Sequence, residues 1–161
     1  EIGLDKAAAD IPLQMRVFET QLKLAKKYHN PVILHVRKMH SEVLSVLRRL
    51  TFNYGGVVHA FSGSLEIANA YIQLGFKLGI GGVISYQRAK KTRKTVAAVP
   101  LSSLVLETDA PDMPLSGHQG ERNSPIHIRE TFQHLCELRP ESTEQVEAEL
   151  FNNSCQLFGG I

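Results

Sequence analysis

Apolar residues along this chain fall into two alternating kinds of segment. Met15, Phe18, Leu22 and Ala25 recur at the spacing of a helix face after Pro12, and His29-Asn30-Pro31 closes that run. The stretch PVILHVR (31–37) is instead short, continuous and β-branched, which predicts a buried strand. Val43, Leu44, Leu47 and Leu50 mark the next helix, and GGVVHAFSG (55–63) the next strand. Ser64 predicts the cap of a helix carrying Ile67, Ala68, Tyr71 and Ile72, with Gly75 as its stop. FKLGIGG (76–82) predicts a third strand, a basic helix follows from about Gln87 to Val99, and LSSLVLETDAP (101–111) holds a fourth strand. Beyond a loop from Pro111 to Pro125, two helices finish the chain. Ser124-Pro125 opens one, and Ser142 with Gln145 three residues later forms a capping box for the other.

Strands apolar throughout and alternating with helices predict a βα array around a parallel sheet, with residues 1–161 forming a single domain. Sheets of this kind gather functional groups at the carboxyl ends of their strands. His35 follows PVIL, His59 follows GGVV and Asp109 follows LVLET, each a metal-competent group at the end of an apolar run. Singly, each histidine is explained as a packed or loop residue, and Asp109 as a turn acceptor before Ala110-Pro111. In series on neighbouring parallel strands they converge at one rim, where Glu1 would join them. Two imidazoles and two carboxylates around one pocket suit a divalent cation, most naturally zinc or manganese. Such a cation lowers the pKa of water and holds it for attack on an ester or phosphodiester. The competing expectation is a non-enzymatic α/β binding module in which the histidines are packing.

Composition changes this picture little. Eighteen Lys and Arg against sixteen Asp and Glu leave a net charge of +2, too small to argue for a nucleic-acid or membrane surface. No apolar run approaches the ~20 residues of a membrane span. Cys136 and Cys155 lie in helical apolar stretches and are expected to be reduced, which points to the cytoplasm. Charge is concentrated in one place: five of the seven residues from Arg88 to Lys94 are basic. A solvated helix face explains such a run, and phosphate contact by Arg88, Lys90 and Lys91 is the functional alternative. Arg37, two residues past His35, is divided between phosphate contact and a structural ion pair. Asp112 and Asn123 either orient ligands or stabilise turns. His118 is expected to be solvent-exposed, and His29, His40, His127 and His134 to lie away from the rim.

The blocks EIGLD, PVILHVR, VVHAFSGS, LGIGGVISY and LVLETDAPDMPL resemble, in order, those of the TatD family of metal-dependent deoxyribonucleases. TDAPDMPLSGHQG and QLKLAKKY are similar to its YjjV branch in particular. The resemblance implies a TIM-type (β/α)8 barrel with one or two divalent ions (Zn, Mn or Mg) in its mouth. It also implies a phosphodiesterase acting on DNA or a small phosphoester, with metal-activated hydroxide attacking phosphorus. By the same likeness Glu1, His35, His59 and Asp109 are metal ligands, and Glu1 and Asp109 are the catalytic pair, Asp109 orienting the attacking water. A hydrolase of carboxyl esters or amides with the same ligands is the alternative. The family also carries a histidine-x-histidine pair on a first strand, and nothing in this chain corresponds to it. The expectation is therefore the last three-fifths or so of a barrel of ~250 residues, lacking its first strands. LVLE and PVIL would then face open edges. Alone, such a chain is expected to bind metal weakly, to show little nuclease activity, and to need a complementing fragment or an oligomer for stability.

Overall fold

The computed structural model describes residues 1–159. Five parallel strands pair in chain order: β1 (Ile2–Asp5), β2 (Val32–Arg37), β3 (Gly56–Val58), β4 (Phe76–Ile80) and β5 (Leu104–Leu106). The helices α1 (Ile11–Lys27), α2 (His40–Arg49), α3 (Leu65–Gln73) and α4 (Lys90–Ala98) make the connections, and α5 (Ile128–Leu138) and α6 (Thr143–Phe158) follow β5. Parallel strands joined in order by helices are the unit of a (β/α) barrel. Among the described residues β1 and β5 are the outer strands and do not pair with each other, so the barrel is not closed.

Helix ends follow local chemistry. The Asp10 carboxylate accepts from the Leu13 amide and Ser64 Oγ from the Ile67 amide. Ser142 and Gln145 complete the expected capping box. Ser124 makes no side-chain cap; the chain takes a 3₁₀ turn, Pro125–His127, before α5 begins. The basic helix starts at Lys90, later than expected, because Gly82–Ser85 forms a 3₁₀ turn after β4. The strands are also shorter than their apolar runs, and β5 has only three residues.

Register decides which side chains meet. Gly3 pairs with His35, Ile33 with Val57, Val57 with Lys77 and Gly79 with Val105. Side chains alternate between faces, so Leu4, Leu34, Val58, Leu78 and Leu104 point at the helices, each at most 1% exposed. These residues join Phe18, Leu22, Leu47, Tyr71 and Leu150 in one apolar core. The other face carries Glu1, Ile33, His35, Val57, His59, Val105 and Glu107. β3 is buried on both faces as expected, and Val57 and Val105 are each 5% exposed, but β2 is not: its Ile33 is 39% exposed. PVIL is not an edge either: β2 is paired on both sides. No described helix is long and apolar enough to cross a membrane.

Candidate metal centre on the inner face

Glu1, His35 and His59 meet although they come from three different strand contexts. Glu1 precedes β1 instead of ending a strand, and reaches the site because it lies on the same face as Gly3, which pairs with His35. His35 sits within β2, and His59 immediately follows β3. One ligand atom from each of the three lies within 4.8 Å of the others. His35 Nδ1 is 3.0 Å from His59 Nε2, and Glu1 Oε2 is 3.5 Å from the first and 3.2 Å from the second.

Partners behind each ring fix where the lone pairs point. His35 Nε2 lies 3.4 Å from Asp5 Oδ2, while Asp5 Oδ1 accepts from the Ala7 amide at 2.7 Å. That amide, ahead of His35 and Arg37, holds the Asp5 carboxyl below its usual range. His59 Nδ1 faces Asp109 Oδ1 at 3.7 Å and Glu107 Oε1 at 3.8 Å. Asp5 behind His35 favours a proton on its Nε2, and the charge of Asp109 and Glu107, beyond hydrogen-bond distance, favours the same arrangement in His59; the inner two nitrogens are then acceptors aimed at each other and at Glu1. In that arrangement, positive charge between the three acceptors reconciles them. Donor atoms ~2.0–2.1 Å from a tetrahedral cation are about 3.3 Å apart, close to the three distances here. The donor set and its spacing fit a divalent cation.

Asp109 lies beyond the triangle, on the Nδ1 side of His59. It stands three residues past β5 with φ 57°, a left-handed backbone that Asp tolerates better than most residues. Burial raises its pKa, opposed by His59 and reinforced by Glu1 and Asp112. Asn123 secures this segment: its Nδ2 donates to the Thr108 and Asp112 carbonyls, both at 2.7 Å, and its amide donates to the Pro111 carbonyl. Of the two roles expected for Asn123, holding the turn is the one its contacts describe on this side.

Two carboxylates and one histidine of this neighbourhood escaped the sequence argument. Glu107 immediately follows β5, and burial pushes its carboxyl up to about 7 against the opposing hydrogen bond from the Ala60 amide at 2.6 Å. A Cβ at Gly79 would run into the Glu107 carboxylate. Gly79, opposite ETD, was the available signal: it clears space for an acid. Asp5, the second omission, closes EIGLD. His40, expected away from the rim, lines a cleft of about 310 Å³ together with His35, His59, Arg37, Lys38 and Asp109. Burial lowers its pKa, and Nδ1 lies 3.2 Å from the Tyr71 hydroxyl.

Arg37 lies at the mouth of this cleft, 62% exposed and 3.8 Å from Asp5 Oδ2. Arg88 stacks over Tyr86 at 4.5 Å and lines an adjoining hollow that shares Met113 with the cleft. Lys90 and Lys91 are exposed on the first turn of α4 and line neither hollow.

Residues 1–159 match the family model described as TatD related DNase. The chain belongs to the TatD family. It is 49% identical over 160 residues to the uncharacterized metal-dependent hydrolase YjjV of Escherichia coli K12, covering 98% of this chain and 62% of that protein. The crystal structure of YjjV superposes with a TM-score of 0.95 at 48% identity, over 100% of this chain and 63% of that one. A Pantoea protein named 3'-5' ssDNA/RNA exonuclease TatD is 33% identical over 151 residues, covering 90% of this chain and 58% of its own length. This chain thus spans less than two-thirds of each of these relatives.

Proposed function

We propose that this chain carries the cation-binding and water-activating face of a hydrolase that cleaves phosphodiesters, with DNA as the substrate. The observation that carries the proposal is the convergence of Glu1, His35 and His59 acceptors within 4.8 Å of one another. In this reading those three hold the cation and Asp109 stands beside it. A bound divalent cation supplies Lewis-acid charge and makes water a nucleophile near neutral pH.

The chain's own groups do the rest. Asp5 keeps the His35 proton on Nε2, so that Nδ1 faces inward. The charge of Asp109 and Glu107, 3.7 and 3.8 Å from His59 Nδ1, favours the same arrangement there. Asp109, held over the cleft by the turn that Asn123 fastens, accepts the proton of the attacking water. Arg37 at the mouth and Arg88 beside it meet non-bridging phosphate oxygens, which favours a phosphodiester over a neutral ester. The name of the Pantoea relative supports nucleic acid as the polymer.

The test, on a full-length protein that carries this chain, is hydrolysis of single-stranded DNA, bis(p-nitrophenyl) phosphate, p-nitrophenyl acetate and a p-nitroanilide, with and without manganese. The expected result is manganese-dependent cleavage of the first two, lost in Asp109→Asn. Turnover of the carboxyl ester or anilide alone would replace the phosphodiesterase reading with that of an ester or amide hydrolase.

A further inference from the structure

A second set of metal-competent side chains lies on the loop between β5 and α5. His118 comes from the loop, His127 from the residue before α5, and Glu130 from the first turn of α5. One ligand atom from each lies within 4.8 Å of the others. The two imidazoles stack with centroids 4.6 Å apart and planes 25° from parallel. His118 Nε2 is 3.1 Å from Glu130 Oε2, near the ~3.3 Å between two donors on one tetrahedral cation.

Hydrogen bonds behind the rings again orient them. Asn123 Nδ2 is committed as a donor to two carbonyls, so its Oδ1 is the accepting end. That oxygen accepts from the Ser124 amide at 2.8 Å and lies 3.0 Å from His127 Nδ1, which must therefore carry the proton. The His127 lone pair is left on Nε2. Glu121 Oε2, 3.1 Å from His118 Nδ1, holds the second ring in the same way. Acceptors that orient a histidine from behind are the usual companions of metal-bound imidazole.

We propose that His118, His127 and Glu130 form a second divalent-cation site, with Glu121 and Asn123 as positioning residues. Two imidazoles and one carboxylate match zinc better than magnesium or calcium. His118 is 30% and Glu130 42% exposed, leaving a coordination position open to water. Occupancy fastens the loop to α5. Through Asn123 and the Thr108 carbonyl it also stiffens the segment that carries Asp109.

Zinc titration of the full chain against a chromophoric chelator tests this. The His35→Ala/His59→Ala variant should retain one equivalent of zinc, and adding His118→Ala should weaken that binding more than ~100-fold. In the otherwise unaltered chain, His118→Ala should lower the stoichiometry by one equivalent, a comparison that holds even if the double variant fails to fold. Zinc should also slow tryptic cleavage after the exposed Arg122 in the unaltered chain but not in His118→Ala. Unchanged stoichiometry in His118→Ala, or cleavage indifferent to zinc, would leave His118 as an imidazolium between two carboxylates and overturn the site. Because the inner-face histidines are absent from one arm, failure here is distinguishable from failure of the proposed function.

Discussion

The two faces of the sheet divide the work. Toward the helices, Leu4, Leu34, Val58, Leu78 and Leu104 are almost wholly removed from water and join one continuous core. On the opposite face the same strands present Glu1, His35, His59 and Glu107 among sparse apolar neighbours. A residue's phase in the two-residue strand repeat thus decides whether it supports the fold or faces the site. Groups that repel one another on the inner face are tolerated because packing against α1, α2 and α3 does not depend on them.

Substitutions on the two faces should therefore have separable effects. The largest expected change in stability is on the helix side. Leu34→Ala should cost about 2–5 kcal/mol in urea unfolding, with the metal stoichiometry of the folded protein unchanged. His59→Ala, only one position past β3, should do the reverse. It should weaken manganese or zinc binding on the inner face more than ~100-fold and change metal-free stability by less than about 1 kcal/mol. A large loss of stability in His59→Ala, or of metal in Leu34→Ala, would break the division. Asp5→Asn sharpens it further. Asp5 reaches the proposed cation ligands only through His35, so the expected loss of affinity is ~10–100-fold.

The smallest effect concerns His40, which belongs to both regions. It lines the cleft while packing against Tyr71 and Phe61. Burial depresses its folded pKa, so the unfolded chain binds its proton more readily. The corresponding stability is complete above the ordinary value of about 6.5 and is lost as pH falls through the lowered one. Melting temperatures in metal-free buffer should decline from pH 7.5 to pH 5 more steeply in the unaltered protein than in His40→Asn.

What the sequence disclosed follows the same division. The helix-facing leucines and valines made the βα alternation legible, and caps such as Ser64 and Ser142 marked helix starts because their hydrogen bonds are local. His35 and His59 were noticed because each is the first polar group after an apolar run, and Asp109 because it closes LVLETD. Glu107 and Asp5 were passed over for a physical reason: their roles depend on strand register and on partners far along the chain. Glu107 meets Ala60, and Asp5 meets His35. His40 escaped because the turn at Lys38 and Met39 brings the start of α2 back beside the cleft. His118 was expected in solvent, and only the folded loop sets it between Glu121 and Glu130. Distances of that kind are not encoded in spacing along the chain.

Anomalous diffraction from crystals soaked in zinc or manganese tests the proposed centre most directly. A peak is expected on the inner face about 2.0–2.2 Å from His35 Nδ1, His59 Nε2 and a Glu1 oxygen. An inner face without a peak, in crystals where these side chains are ordered and accessible, or a peak there that engages neither His35 nor His59, would contradict it.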